Sequence, residues 1–163
     1  MKRGFISRFR TPRSEPRTSP RGYTLIELVI TISIMAIVAA VAVPFFQSYA
    51  INANLKSAAR DIAADIQNHK QMAVSQTAPV SMVFSVDENS YTVWQGPPKS
   101  PAYFGNGISI TSASFMPGGT ATLTFQSRGT SWNGTIILVN SRGSTATITT
   151  NITGRAYVQF SML

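Results

Sequence analysis

Arg21-Gly22-Tyr23-Thr24-Leu25-Ile26-Glu27-Leu28-Val29 opens the stretch that decides the fold, RGYTLIELVITISIMAIVAAVAVPFF at residues 21–46. From Leu28 to Val43 there are 16 residues without a charge, and only Thr31 and Ser33 interrupt the apolar run. The 22 residues from Leu25 to Phe46 form, as helix at about 1.5 Å per residue, a rod of roughly 33 Å, enough to cross a hydrocarbon layer of about 30 Å. Upstream, residues 1–22 hold seven basic residues against one acid, Glu15. That asymmetry orients the N-terminus toward the cytoplasm and places the chain beyond Phe46 outside.

The net charge of +8, taken alone, would point to nucleic acid or an anionic membrane surface. Its location weakens that reading, because residues 1–22 account for a surplus of six positive charges and the rest of the chain is almost balanced. A cleaved secretory signal also combines a basic start with an apolar run. Here the run exceeds the roughly 7–15 residues of such a signal, and no small-x-small cleavage site comes after it, Val43-Pro44-Phe45-Phe46 being bulky. Glu27 is the third argument. At the bilayer centre a carboxylate costs roughly 2.5–3.5 kcal/mol, and acids within membrane segments mark function by default.

Arg21 to Val29 resembles the processing site of type IV prepilins, where a dedicated peptidase cuts after glycine and methylates the new N-terminus. A small residue before the cut, an aromatic after it, an acid at the fifth mature position and an apolar helix behind all coincide. The resemblance implies that Gly22 ends the leader, that Tyr23 becomes the methylated first residue, and that Pro44 stands where many pilins carry proline. It also implies the partners: the prepilin peptidase/N-methyltransferase, other pseudopilins or pilins, and an inner-membrane assembly platform. Gly22 suits the role because an extended backbone without a side chain enters a narrow protease cleft; otherwise it is a loop glycine. Glu27 either pairs with the freed α-amino group of a neighbouring subunit, a contact whose rupture costs about 3–5 kcal/mol, or rests at headgroup level in water. Pro44 should kink or locally melt the helix, as a device for moving the anchor into a filament or as a passive bend.

Beyond the anchor, Ile51, Leu55, Ala58, Ala59, Ile62, Ile66, Met72 and Ala73 recur at three- and four-residue steps, with Lys56, Arg60, Asp61, Asp65 and Lys70 on other faces. With no glycine or proline between Ala50 and Gln76, anchor and continuation should make one helix of roughly 50 residues. His69, the only histidine, is expected in solvent beside Lys70. After Ala78-Pro79, strand formers alternate with turn signals. Val80–Val86, Tyr91–Trp94, Ile108–Thr111, Ala121–Gln126, Thr135–Val139, Thr145–Thr150 and Ala156–Phe160 read as strands, with hairpin turns at 87–90 and 140–144 and the longest loop at 95–107. A helix laid on an antiparallel sheet gives an α+β domain. The expected organisation is a leader at 1–22, a transmembrane helix at 23–49, an amphipathic continuation at 50–78 and a β-rich periplasmic domain at 79–163.

The C-terminal region also looks like the soluble part of the GspH/FimT branch: minor pseudopilins of type II secretion and minor pilins of type IV pili. Phe125-Gln126-Ser127-Arg128-Gly129, Gly134 to Leu138 and the closing Ile152 to Val158 carry that similarity. The implied fold is pilin-like, and the implied function is assembly into a periplasmic pseudopilus. The alternative is a FimT-like minor pilin that primes pilus assembly or binds DNA for uptake, with Arg128, Arg142 and Arg155 as candidate phosphate contacts or else solvated turn residues. Relatives that bind DNA tend to carry a second arginine where this chain has Tyr157. With one histidine, no cysteine and only Asp87 and Glu88 as acids beyond the helix, no catalytic set, metal site or cofactor is implied, and the chain reads as a non-enzyme.

Overall fold

The computed structural model describes residues 22–94 and 96–163, so the expected leader lies outside the described residues except for Gly22. Thr24 begins the ordered helix: its hydroxyl accepts the Glu27 N–H at 3.2 Å, satisfying one of the amide donors that a helix start leaves open. Helix α1 then runs Leu25–Ser75, 51 residues, close to the length that composition predicts. Two compact units divide within it, one ending at Ala40 and the other spanning Val41–Leu163.

In the first unit every described residue is exposed, although the helix is long and apolar enough to cross a membrane. Its two hydroxyls are satisfied internally, Thr31 donating to the Leu28 carbonyl at 2.8 Å and Ser33 to the Val29 carbonyl at 2.7 Å. Hydrocarbon demands this of any polar group it surrounds.

In the second unit helical structure persists through Pro44. This is where a kink or local melting was expected, and Ser48 donates to the Pro44 carbonyl at 2.9 Å. Leu55, Ala58, Ala59, Ile62, Ile66 and Ala73 are buried, the spacing that periodicity predicts. The helix stops in a double closure, Thr77 N–H to the Val74 carbonyl and Ala78 N–H to the Ala73 carbonyl, both 3.3 Å. Thr77 holds φ at 52° there, the left-handed position that glycine favours. Thr77→Gly is therefore expected to stabilise the fold by about 0.5–1 kcal/mol, read as a higher urea midpoint with unchanged slope.

Eight strands come after the helix: β1 Val80–Ser85, β2 Ser90–Thr92, β3 Pro98–Lys99, β4 Ser109–Phe115, β5 Thr122–Phe125, β6 Gly134–Val139, β7 Thr145–Thr150 and β8 Ala156–Ser161. Each of the seven expected strands has a counterpart. β3 is additional and lies inside the expected long loop, followed by a short 3-10 helix at Pro101–Phe104 that Ser100 caps. The larger difference is that the strands form two four-stranded antiparallel sheets, β3-β2-β1-β5 and β4-β6-β7-β8, where one sheet was expected. β5 returns to β1, with Val80 opposite Phe125, while β4 skips β5 to pair with β6. Strand patterning encodes faces and turns; it does not encode such distant partners.

Both sheets feed one core with the helix. Met82, Phe84, Leu123 and Phe125 come from the first sheet, and Ile110, Phe115, Ile136, Leu138 and Ile148 from the second. Phe84 joins them, its ring 5.7 Å from Tyr91 and 5.6 Å from Phe115, within the usual range for aromatic pairs. Gly134 lies opposite Phe115, and a Cβ there would run into the Phe115 ring. Gly134→Ala should accordingly lose about 1–3 kcal/mol by overpacking, measurable by thermal unfolding. The architecture is α+β, a long helix packed on antiparallel sheets.

Candidate assembly and processing site

Gly22 and Tyr23 are non-helical and exposed, directly before the Thr24 cap. Among the described residues, its chain neighbours aside, no atom lies within 4 Å of where a Gly22 Cβ would stand, and Tyr23 is 85% exposed. Glu27 occupies the first helical turn and is exposed in the single chain. Thr24 and Glu27 together have the spacing of a capping box, and an acid at this end also favours the positive pole of the helix dipole. That local role was missed in the sequence, although Thr24 three residues ahead of Glu27 signalled it.

A polar seam joins α1 to the first sheet, and it corrects two sequence expectations. His69 is not solvated: it is 1% exposed, its Nδ1 lies 2.6 Å from the Asp65 carbonyl, and its Nε2 accepts the Trp94 N–H at 3.1 Å. A ring that accepts at Nε2 belongs to the tautomer with its proton on Nδ1, where it can donate to the Asp65 carbonyl. His69→Leu should leave the Trp94 amide unpaired at about 1–3 kcal/mol, with faster amide exchange at Trp94. Asp65, expected on an outer face, is also buried. It accepts from the Tyr91 hydroxyl at 2.9 Å and from Lys99 Nζ at 2.7 Å. Neither burial was legible, because residues 65 and 69 share a face whose covering strands come from later in the chain.

Burial, then the Asp65 hydrogen bond, pushes the Tyr91 hydroxyl well above the ordinary tyrosine range; the Asp65 hydrogen bond likewise raises Lys99. Both groups hold protons in the folded state at a pH where the unfolded chain releases them. Their contribution is complete below about pH 10 and falls as pH rises beyond it. Tyr91→Phe should flatten that alkaline fall, as read from urea midpoints between about pH 9 and 11.

The three arginines are exposed but not together. The turns carrying Arg128 and Arg155 adjoin, since a Cβ on Gly154 would touch the Gly129 carbonyl, and Lys70 reaches both glycines and donates to the Thr153 carbonyl at 2.7 Å. Arg142 instead donates to the Ser48 hydroxyl at 2.7 Å, in a cluster where Asn140 and Ser144 both donate to Asn52. Ser48 and Lys70 are about 33 Å apart along a helix of 1.5 Å rise. A single phosphate-binding patch built from all three does not exist in this fold. Among the described residues no group of acids and histidines could hold a metal.

Residues 17–43 match the model of the prokaryotic N-terminal methylation motif, and residues 58–154 match that of the type II transport protein GspH. The chain belongs to the GspH family. No curated protein matches it. Among solved structures, the type IV minor pilin FimU of Pseudomonas aeruginosa is similar in two crystal forms. The first has a TM-score of 0.50 at 19% identity, covering 64% of this chain and 87% of FimU. The second has 0.47 at 21%, covering 64% and 92%. The first likeness is one of fold. As a GspH-family member with a methylation motif, the chain is a pilin-like structural protein and not an enzyme, with the role of a pseudopilin or minor pilin. The motif implies prepilin peptidase processing and assembly with pilins or pseudopilins, and the apolar helix beneath it points to membrane anchoring.

Proposed function

We propose that this GspH-family chain is a minor pseudopilin of a type II secretion system, assembling into the periplasmic pseudopilus that drives export of folded proteins. The observation that carries this reading is the tandem of a methylation motif on the apolar helix and a GspH match on the domain behind it. In the proposed cycle the leader 1–22 is removed between Gly22 and Tyr23, and Tyr23 is methylated. Residues 23–49 hold the chain in the inner membrane with the N-terminus cytoplasmic, residues 50–78 continue the helix, and residues 79–163 fold in the periplasm. Glu27 then meets the α-amino group of an adjacent subunit, and Pro44, lacking one helical hydrogen bond, lets the anchor bend as it leaves the bilayer.

Deleting the gene tests the choice of system. Folded exoproteins should accumulate in the periplasm while surface fibres persist. Loss of fibres with secretion intact would assign the chain to a type IV pilus instead. Among the described residues, Arg128, Arg155 and Lys70 form the basic grouping on which a DNA reading would rest; absence of salt-sensitive retardation of duplex DNA by the full-length chain would close it.

A further inference from the structure

A cleft of about 530 Å³ lies between α1 and the β2–β3 edge of the first sheet, a volume suited to a ligand or a short peptide segment. Asp61, Tyr91, Lys99 and Ser100 are its polar lining residues, and Pro98, Tyr103 and Phe104 supply the rest. Tyr103 is 90% exposed and stands edge-on to Phe104, centroids 5.9 Å apart at 86°. Among the described residues nothing covers this large ring at the rim of the cleft.

The charges are unevenly matched. Asp65 takes the Lys99 ammonium at 2.7 Å, the one ion pair among the described residues. Asp61, one helical turn earlier and only half-buried, receives just the Tyr91 hydroxyl at 3.3 Å, long for such a bond. Lys99 also lies within electrostatic reach of Asp61, so two carboxylates share one ammonium and the cleft keeps a surplus negative charge behind an aromatic and proline wall. An anion entering it would be repelled, and a purely apolar group would cover a carboxylate without pairing it. An amphipathic cation satisfies both parts: an aliphatic stem lies along Pro98 and Phe104, and its charged head reaches Asp61 beside the face of Tyr103.

We propose that this cleft receives an arginine or lysine side chain from a neighbouring subunit of the filament. The cationic chemistry is dictated by the cleft alone; the identity of the neighbour rests on the assembly reading above.

The test uses the full-length chain in detergent micelles, titrated with acetyl-Gly-Arg-Gly-amide and with its uncharged citrulline analogue while the amide resonances of Lys99 to Phe104 are followed. The arginyl peptide should shift these amides, and the citrulline peptide should bind about tenfold more weakly because the charge-assisted contact is lost. Asp61→Asn should weaken arginyl binding by a similar factor. Tyr103→Ala, which removes a side chain that supports no core, should weaken it by about threefold. Equal binding of the two peptides, indifference to Asp61→Asn, or no shift at millimolar peptide would each overturn the proposal. In the native envelope both variants should be processed normally yet enter filaments less often; undiminished entry would remove the subunit as occupant. The micelle titration contains no filament, so its failure is separable from failure of the assembly reading, which the Glu27 variants report.

Discussion

Glu27→Leu should leave the chain in the membrane and strip it from the filament. Insertion tolerates the change because an apolar side chain replaces one that costs roughly 2.5–3.5 kcal/mol at the bilayer centre. Assembly does not, because the incoming α-amino group then enters a low-dielectric layer without its counter-charge. At about 3–5 kcal/mol for a broken buried pair, incorporation should fall by about 100- to 1,000-fold or more. The helix cap offers a competing explanation, since Thr24 and Glu27 share the first turn. Glu27→Gln separates the two. Glutamine keeps the capping geometry, and the helix-dipole share of the carboxylate is only about 0.3–1 kcal/mol, whereas pairing needs the full charge. Both variants should therefore be processed, membrane-bound and absent from sheared filaments. Normal incorporation of the glutamine variant would reject charge pairing.

The second large effect is expected at the cut. Gly22→Phe should block leader removal almost completely, so that the membrane form retains residues 1–22 by mass spectrometry. Among the described residues nothing but its chain neighbours lies within 4 Å of a Cβ at Gly22, so the bulk meets no part of the folded domain and folding should be untouched. Any loss of cleavage then belongs to the fit between substrate backbone and peptidase cleft. An unmutated membrane form still carrying residues 1–22 would place the cut elsewhere. Methylation at Tyr23 depends on the same event, and the blocked variant should lack it.

The methylation motif and the apolar helix behind it were legible because their signals are local. Charge asymmetry, an uninterrupted apolar run, one misplaced acid and the glycine–aromatic step all lie within residues 1–46. The feature missed even there, the Thr24 cap, is also local and was overshadowed by the stronger signal of an acid at the edge of hydrocarbon. The seam at Asp61, Asp65, His69, Tyr91 and Lys99 is different. Its members lie up to 38 positions apart, and no spacing rule links a helical histidine to the backbone amide of Trp94.

Sequence by itself determined that Leu25 to Phe46 form an anchor-length apolar helix, that its continuation has one buried stripe, and where seven strands and their turns fall. These features arise from period, propensity and backbone freedom, each acting over a few residues. Only the tertiary structure decided that the strands form two sheets, that His69 and Asp65 go inside, that Arg142 is parted from Arg128 and Arg155, and that Asp61 faces an aromatic-rimmed cleft. Those outcomes depend on which distant strands close over the helix, a choice made by the packing of the whole core and written in no single segment.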